Sequence, residues 1–259
     1  MKRIQDCTIS KITWLNTDSY LLELDVPDEI PVLAPGQFAE IRIGNSPDVF
    51  LRRPFSFLDA DVENRKLVFF IKRIGKGTRH LGELHPGETV NIIYPLGNHF
   101  QVPEKGNVLI VGGGSGIAPF ILLGKELQKK GVGMTFLLGG KAGSDILLTD
   151  RFSQYGDVLI TTEDGSKGEK GMVTDHSVFT SDPFPFTMIY ACGPEPMMKA
   201  VARMSCLKNI PCEVSLENLM ACGFGVCLCC IVETTEGNLC VCTEGPVFNT
   251  NRLKWQICA

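Results

Sequence analysis

The sequence predicts a multi-domain protein of the β plus α/β class: an antiparallel β-barrel, a doubly wound parallel sheet and a small cysteine-rich subdomain. Three observations lead to this prediction. Short strands at close spacing fill residues 1–102, strands alternate with helices over 103–211, and six of the eleven cysteines lie between Cys222 and Cys242. The 259 residues are enough for two ordinary domains and a small third one, 212–259.

The first hundred residues contain six candidate strands separated by turn-forming residues, a spacing typical of a small antiparallel barrel. The strands are CTISKITWL, SYLLELDV, QFAEIRI, PFSFLDA, KLVFFIKRI and ETVNIIYPL. One short helix is expected between the last two strands, from Thr78 to Leu84, with Thr78 as its N-cap.

After Pro103 the pattern changes to apolar runs of strand length that alternate with helical stretches, which indicates a mostly parallel, doubly wound sheet. The runs are NVLIVGG, MTFLLGG, DVLITTEDG and FTMIYACG, and the main helices are PFILLGKELQKKG and EPMMKAVARMSCLKN. Residues 106–124 lack charge, but their glycines and Pro119 interrupt the stretch, so it is not a transmembrane span.

The composition restricts the function classes. A net charge of −4 gives no support to binding of nucleic acid or anionic membranes. The N-terminus, MKRIQDCTIS, lacks the apolar region of a signal peptide, and an odd number of clustered cysteines does not suggest a disulfide framework. Both features predict a reducing, cytoplasmic location.

The cysteine-rich segment has the spacing of an iron–sulfur site. Cys222, Cys227 and Cys230 form C-x4-C-x2-C, the arrangement of three ligands of a plant-type 2Fe–2S cluster. Cys240 or Cys242 supplies the fourth ligand, and two residues so spaced on one predicted strand point to the same face. The alternative is a zinc ribbon built on Cys227-x2-Cys230 and Cys240-x-Cys242, which leaves Cys222 without a role.

Two segments of the barrel are suited to a flavin. Arg53, Pro54, Phe55 and Ser56 begin a strand, and they supply a fork for a pyrophosphate, an aromatic face and a hydroxyl for a flavin ring nitrogen. On its own, such a quartet more often has a solvated arginine and a buried phenylalanine. The second segment is 75–78 (GKGT), where Gly77 lets the backbone approach an anion at a helix N-terminus.

A glycine-rich turn in the second domain is suited to a dinucleotide. VGGGSGIAPF, residues 111–120, follows a buried strand and precedes a helix, although Ile117 and the missing downstream acid depart from the common dinucleotide fingerprint. At the end of the fourth strand, Cys192 and Gly193 begin a turn; such a cysteine is often only a small buried side chain. Glu163 and Asp164 end the third strand and would repel a 2′-phosphate, which favours NADH.

The order RPFS, GKGT, YPLGN and GGGSGIAP resembles the ferredoxin–NADP reductase superfamily, in which a flavin barrel precedes a nicotinamide domain. The resemblance implies FAD on domain 1–102 and NAD on domain 103–211. It assigns Arg53 to the phosphates, Phe55 (often Tyr in relatives) to stacking and Ser56 to the reactive ring edge. The other implied contacts are Phe70, Ile71 and Lys72 with the ribityl or adenosine part, Gly77 and Thr78 with the pyrophosphate, and Gly113, Gly114, Gly116, Cys192 and Gly193 with the nicotinamide cofactor.

The tail, MACGFGVCLCCIV followed by VCTEGPVF, resembles the electron-transfer subunits of type B (NAD-dependent) dihydroorotate dehydrogenases. In that family the last ligand directly precedes a segment like Thr243–Phe248, which implies Cys222, Cys227, Cys230 and Cys242 as the ligands. The resemblance implies an FMN-containing catalytic partner, in a complex with two copies of each chain, and no catalytic residue for dihydroorotate here. The alternatives are a reductase subunit for another acceptor, of the sulfide or ferredoxin oxidoreductase type, and a non-catalytic zinc-ribbon module.

Overall fold

The computed structural model describes residues 1–44 and 48–255. Its first part is a closed antiparallel barrel with the strand order β1-β2-β5-β4-β3-β6, as the sequence predicts. The strands are β1 (Arg3–Trp14), β2 (Ser19–Asp25), β3 (Phe38–Ile41), β4 (Arg53–Asp61), β5 (Lys66–Lys72) and β6 (Thr89–Leu96), and helix α1 (Lys76–Glu83) precedes β6.

Alternating side chains fill the interior of the barrel. Along β1, Cys7 and Ile9 are buried while their neighbours Asp6 and Thr8 are exposed. The interior contains aromatic pairs such as Phe57 and Phe69, whose ring centroids lie 5.3 Å apart. Because side chains of a strand alternate between two faces, one residue in two is left to face outward. On β3 and β4, the outward residues Phe38 and Leu58 pack into the two cores of the neighbouring sheet.

The second part is a seven-stranded sheet with the order β10-β9-β8-β7-β11-β12-β15. Its strands are β7 (Asn107–Gly113), β8 (Gly133–Gly140), β9 (Asp157–Thr162), β10 (Glu169–Lys170), β11 (Met188–Cys192), β12 (Cys212–Ser215) and β15 (Val247–Asn249), and the helices are α2 (Phe120–Lys129), α3 (Thr149–Phe152) and α4 (Glu195–Leu207). All neighbouring pairs are parallel except β12 and β15.

The sheet is covered on both faces. Val108 and Ile110 of β7 lie in a core with residues of α2, whereas Leu109 and Val111 lie in a second core with residues of α4. This arrangement confirms the doubly wound sheet. No helix in residues 1–44 and 48–255 is both long and apolar enough to cross a membrane.

The cysteine-rich tail packs on the sheet and does not stand apart from it. It contains β13 (Ile231–Thr234), β14 (Gly237–Cys240) and helix α5 (Val241–Glu244) before β15 joins the sheet. Val241, Phe248 and Leu253 belong to the same apolar core as Val111 and Met198. The boundary at residue 212 stays a prediction, and the strand that begins there is a member of the sheet.

Candidate flavin, nicotinamide and iron–sulfur sites

A cleft of about 480 Å³ lies where the barrel, the sheet and the tail meet. The barrel contributes most of the residues singled out from the sequence, the sheet contributes the end of β11 and the turn after β7, and the tail contributes the segment before the cysteines. The lining of the cleft includes Arg53, Pro54, Phe55, Ser56, Phe70, Lys72, Thr78, Ser115, Cys192, Glu217 and Cys229. Three segments far apart in sequence therefore line one cleft.

Strand β4 presents the four residues of the RPFS motif to this cleft. Its pairing with β3 places Arg53 opposite Ile41 and Ser56 opposite Phe38. The Nη1 atom of Arg53 donates to the carbonyl oxygens of Leu51 (2.8 Å) and Arg52 (3.1 Å), so the backbone holds the guanidinium in place. Its remaining N–H groups suit a diphosphate, and the Phe55 ring suits the flat face of a flavin.

The GKGT segment lies beside Arg53. A Cβ atom on Gly77 would lie 3.6 Å from Nε of Arg53, which shows how closely helix α1 approaches the guanidinium. The prediction that Thr78 is the N-cap was wrong: α1 begins at Lys76, its N-cap is Gly75, and Thr78 is the third helical residue. The Thr78 hydroxyl instead accepts hydrogen bonds from the amides of Ile74 and Gly75, which fixes the entry to the helix.

The three residues of β5 that are predicted to contact the flavin have their side chains on two different faces of the strand. Phe70 and Lys72 line the cleft, whereas the Ile71 side chain is fully buried in the barrel interior. The alternation of a β-strand causes this separation. The Ile71 side chain therefore lies away from the cleft and does not contact a ligand bound there.

The glycine-rich turn packs directly against the end of β11. A Cβ atom on Gly116 would lie 2.2 Å from the carbonyl oxygen of Cys192, and one on Gly193 would lie 2.9 Å from that of Gly113. Of the glycines in this turn, Gly114 alone has open space where a Cβ atom would lie, and its φ is +57°. The glycines at 113, 116 and 193 thus bring the two strand ends together, while Gly114 leaves room beside the turn.

Cys192, Ser115 and Glu217 line the side of the cleft formed by the sheet and the start of the tail. Burial raises the pKa of the Cys192 thiol well above its usual value, so it stays neutral. Glu217 lies near Cys192 and hydrogen-bonds Ser115; desolvation of its carboxyl group raises the pKa of that group, although the Ser115 hydrogen bond opposes this shift. No sequence signal identifies Glu217, because residues 216–221 have the appearance of a linker.

The end of β9 supports the expected preference for NADH. Glu163 and Asp164 are exposed there. The amide and hydroxyl of Ser166 donate hydrogen bonds of 2.9 and 2.6 Å to Asp164, and these bonds lower the pKa of its carboxyl group. The carboxylate therefore stays ionised at neutral pH, which disfavours a 2′-phosphate nearby.

Backbone amides point at the sulfurs of three predicted cluster ligands. Phe224 donates to Cys222 over 3.4 Å, Gly225 to Cys242 over 3.1 Å, and the amide of Cys242 to Cys230 over 3.4 Å. Hydrogen bonds from amides stabilise negatively charged sulfur. The donor set therefore fits thiolates bound to iron.

The predicted ligands lie close to one another. Cys222 hydrogen-bonds the Cys227 side chain, and Cys230 hydrogen-bonds the side chains of Cys242 and Cys240. Within residues 1–44 and 48–255, no group of three or more His, Cys, Asp or Glu residues is close enough to bind a single ion.

Cys240 and Cys242 differ in structure, contrary to the prediction that both lie on one strand. Strand β14 ends at Cys240 and α5 begins at Val241, so the helical turn separates the two side chains. Cys242 is 1% exposed, and burial raises the pKa of its thiol to about 12; Cys240 is half-buried. By contrast, amide donors lower the pKa of Cys222 to about 6.

Glu40 is a buried acid beneath the loop that holds Cys222. It is 0% exposed, and neither carboxyl oxygen has a hydrogen-bond partner in the described residues. A Cβ atom on Gly223 would lie 3.2 Å from Cγ of Glu40. Burial raises the pKa of Glu40 to about 7, although Arg52 and Arg53 oppose this shift.

The loop between the cysteines presents apolar side chains to solvent. Phe224, Val226 and Leu228 are 40%, 80% and 57% exposed. Leu228 has a φ of +57°, a conformation that costs a leucine about 1–2 kcal/mol. An exposed apolar group held in a strained conformation is typical of a contact surface.

Together, the barrel, the nicotinamide sheet and the cysteine loop define a flavin- and NAD-dependent oxidoreductase subunit with an iron–sulfur centre. Residues 217–254 match the model of the iron–sulfur cluster binding domain of dihydroorotate dehydrogenase B, and residues 110–203 match that of the oxidoreductase NAD-binding domain. The cofactors are accordingly FAD, NAD and a 2Fe–2S cluster.

Relatives over nearly the whole chain agree. A protein of Desulforamulus reducens named dihydroorotate dehydrogenase B (NAD(+)), electron transfer subunit, is 36% identical, covering 99% of this chain and all of the relative. A Shouchella clausii protein of the same name is 37% identical, covering 93% and 94%. The chain belongs to this family of electron transfer subunits.

Solved structures show the same fold. The structure of an NADH-dependent reduced ferredoxin–NADP oxidoreductase has a TM-score of 0.88 and 30% identity, covering 96% of this chain and 90% of that one. The ferredoxin reductase of carbazole 1,9a-dioxygenase has a TM-score of 0.68 and 20% identity, covering 81% and 67%.

Proposed function

We propose that this chain passes electrons between an FMN-containing dihydroorotate dehydrogenase subunit and NAD⁺ in pyrimidine (UMP) biosynthesis. One observation supports this most strongly. The cleft that contains the RPFS motif has Cys192 on its nicotinamide side and Cys229, the neighbour of the predicted ligand Cys230, on its tail side. A flavin in this cleft lies between the other two redox sites.

FAD in this cleft would supply both two-electron exchange with a nicotinamide and one-electron exchange with an iron–sulfur cluster. The residues of this chain would bind and orient the carriers. Arg53 would hold the diphosphate, Phe55 would stack on the ring system, and the neutral Cys192 thiol would lie on the nicotinamide side without adding charge. Cys222, Cys227, Cys230 and Cys242 would hold the cluster.

Dihydroorotate oxidation belongs to the partner subunit in this proposal. The cleft is already assigned to a flavin that serves a nicotinamide, so we assign no catalytic residue for dihydroorotate to this chain. We propose a complex with two copies of each subunit, in contact through the apolar residues Phe224, Val226 and Leu228. We place this complex in the cytoplasm, where the cysteine ligands of an iron–sulfur cluster are kept reduced.

A second function is favoured by one comparison. The solved ferredoxin–NADP oxidoreductase shares the fold of this chain, with a TM-score of 0.88. The alternative is therefore a reductase subunit that serves a ferredoxin or sulfide acceptor. The sequence argues against it, since a sulfide-type relative is expected to use an aspartate as one cluster ligand, and four cysteines are available here.

Two measurements test the proposal. The chain is mixed with an FMN-containing dihydroorotate dehydrogenase subunit, and NAD⁺ reduction by dihydroorotate is followed; we expect turnover only when both subunits are present. Turnover with reduced ferredoxin and none with dihydroorotate would support the second function. Iron, sulfide and zinc analysis with an absorption spectrum separates both from a zinc module, which would contain zinc and no flavin.

A further inference from the structure

Three consecutive residues at the end of the barrel, Leu96, Gly97 and Asn98, lie against both arms of the cysteine-rich tail. They belong to the YPLGN motif of the sequence. A Cβ atom on Gly223, in the first arm, would lie 3.0 Å from Cδ1 of Leu96. A Cβ atom on Gly97 would lie 2.5 Å from Cδ of Pro246, in the second arm, so the glycine lets the barrel approach that arm closely.

Asn98 makes four hydrogen bonds to one short stretch of the second arm, residues 244–247. Its Nδ2 atom donates to the carbonyl oxygens of Glu244 (2.7 Å) and Val247 (2.9 Å). Its Oδ1 atom accepts from the amide of Val247 (3.0 Å), and its own backbone amide donates to the carbonyl oxygen of Gly245 (2.6 Å). The side-chain amide is thus both donor and acceptor to the same segment, which it clamps to the barrel.

The clamped segment lies between the flavin cleft and the predicted cluster. Pro246 lines the cleft. The amide of Gly245 donates to the carbonyl oxygen of Val241 over 3.1 Å, and this bond closes the helix that contains Cys242. Fixing residues 244–247 on the barrel therefore also fixes the predicted fourth ligand relative to the flavin site.

We propose that Asn98 is a positioning residue for electron transfer, which holds Cys242, and with it the cluster, in a constant place relative to the flavin. This inference rests on the proposed function, since it needs FAD in the cleft and Cys242 as a ligand. Electron exchange between two carriers depends on how the protein places them. Asn98 itself is not among the described residues that line the cleft, so its loss should alter the path to the cluster and spare the nicotinamide reaction.

The test uses the complete chain loaded with FAD and cluster. A deazaflavin radical generated by a laser flash gives one electron to FAD, and the transfer of that electron to the oxidised cluster is followed optically. Asn98→Ala should slow this transfer severalfold, while hydride transfer from NADH to FAD, measured by stopped flow, should be unchanged. Iron release to a chelator should accelerate by roughly fivefold for each side-chain hydrogen bond lost, because release requires the clamped segment to open.

Two further variants separate the hydrogen bonds from side-chain volume and from a general disturbance of the tail. Asn98→Asp keeps the size and the acceptor but loses both donor hydrogens, so it should behave as Asn98→Ala does, and it carries the test where the smaller alanine prevents folding. Asn249→Ala is the matched control. Asn249 lies two residues after Val247, and its side chain accepts from the amide of Asn251 within the tail (3.0 Å), so all three rates should be unchanged.

Several results would overturn the inference. Faster iron release with an unaltered rate of transfer to the cluster would make Asn98 a structural residue only. Equal slowing of the NADH reaction would place its effect on the flavin, and a wild-type rate in Asn98→Asp would show that side-chain volume matters and the donors do not. Absence of transfer from FAD to the cluster in the wild-type chain would refute the proposed function as well, whereas normal wild-type transfer leaves that function intact whatever the variants show.

Discussion

The amide nitrogen of Gly225 lies 3.1 Å from the sulfur of Cys242, across the fold of the tail. This hydrogen bond joins the loop with three predicted ligands to the helix that contains the fourth. The same glycine presents its carbonyl oxygen to Cys240 at 3.9 Å, and a carbonyl oxygen does not stabilise a negatively charged sulfur. The structure therefore favours Cys242 over Cys240 as the fourth ligand.

Replacing Cys242 with Ser should therefore remove the iron–sulfur absorbance and loosen the tail, because ligand binding and tail folding are coupled. Cys222→Ser, Cys227→Ser and Cys230→Ser should have the same effect. Cys229→Ser is the control and should keep its iron. Iron and sulfide analysis measures the outcome, and a full cluster in Cys242→Ser would contradict the assignment.

Replacing Arg53 with Ala should weaken FAD binding roughly ten- to a hundredfold. The variant loses a charge-assisted contact to the diphosphate worth about 1.5–3 kcal/mol. Phe55→Ala should also weaken binding, through lost stacking, whereas Phe55→Tyr keeps the ring and should be tolerated. Fluorescence titration of the flavin-free chain gives the dissociation constants. Unchanged affinity in Arg53→Ala would place the diphosphate elsewhere.

Much of this architecture is predictable from the sequence because its signals are local. The spacing of apolar runs predicts the barrel and the alternating sheet, and the C-x4-C-x2-C pattern indicates the cluster loop. Residues whose role depends on contacts between distant segments are not predictable in this way. Glu217 reaches Ser115 and Cys192 only because the sheet brings the start of the tail beside the turn after β7.

The structure differs from what the sequence alone suggests at two further places, α5 and Glu40. The sequence gives no sign that helix α5 begins between Cys240 and Cys242, since four helical residues are too few to show periodicity. The segment around Glu40 alternates as an ordinary half-exposed strand does, so an outward acid is expected to meet solvent. The loop at Gly223 covers that face instead, and only the tertiary structure shows this burial.

Glu40→Gln should stabilise the protein, and more so at high pH. The folded-state pKa of about 7 exceeds the value of 4.5 for an unburied carboxyl. The folded protein therefore holds this proton longer, and wild-type stability falls as pH rises from about 4.5 to about 7. We expect a gain of about 3 kcal/mol at pH 8 and less than about 1 kcal/mol at pH 5. Urea unfolding at both pH values measures it, and equal gains would contradict the account.

Charges in the cluster loop should abolish coupling to the FMN subunit and spare the activity of the single chain. Val226→Glu with Leu228→Lys replaces two exposed apolar side chains of the proposed contact surface. NADH-to-dye activity should be unchanged, because neither side chain lines the cleft. Met172→Lys is the matched control, since Met172 is 58% exposed and follows β10, at the sheet edge opposite β15. An unimpaired complex with the double variant would exclude this surface.

In the proposed function, this chain connects a nicotinamide to its cluster only by way of the flavin cleft. Anaerobic titration with NADH, followed by EPR of the cluster, is the decisive measurement of this path. We predict that NADH reduces the cluster in the FAD-loaded chain, and that in the FAD-depleted chain the cluster stays oxidised with NADH yet is reduced by dithionite. Reduction of the cluster by NADH without FAD, or its failure with FAD present, would contradict the account.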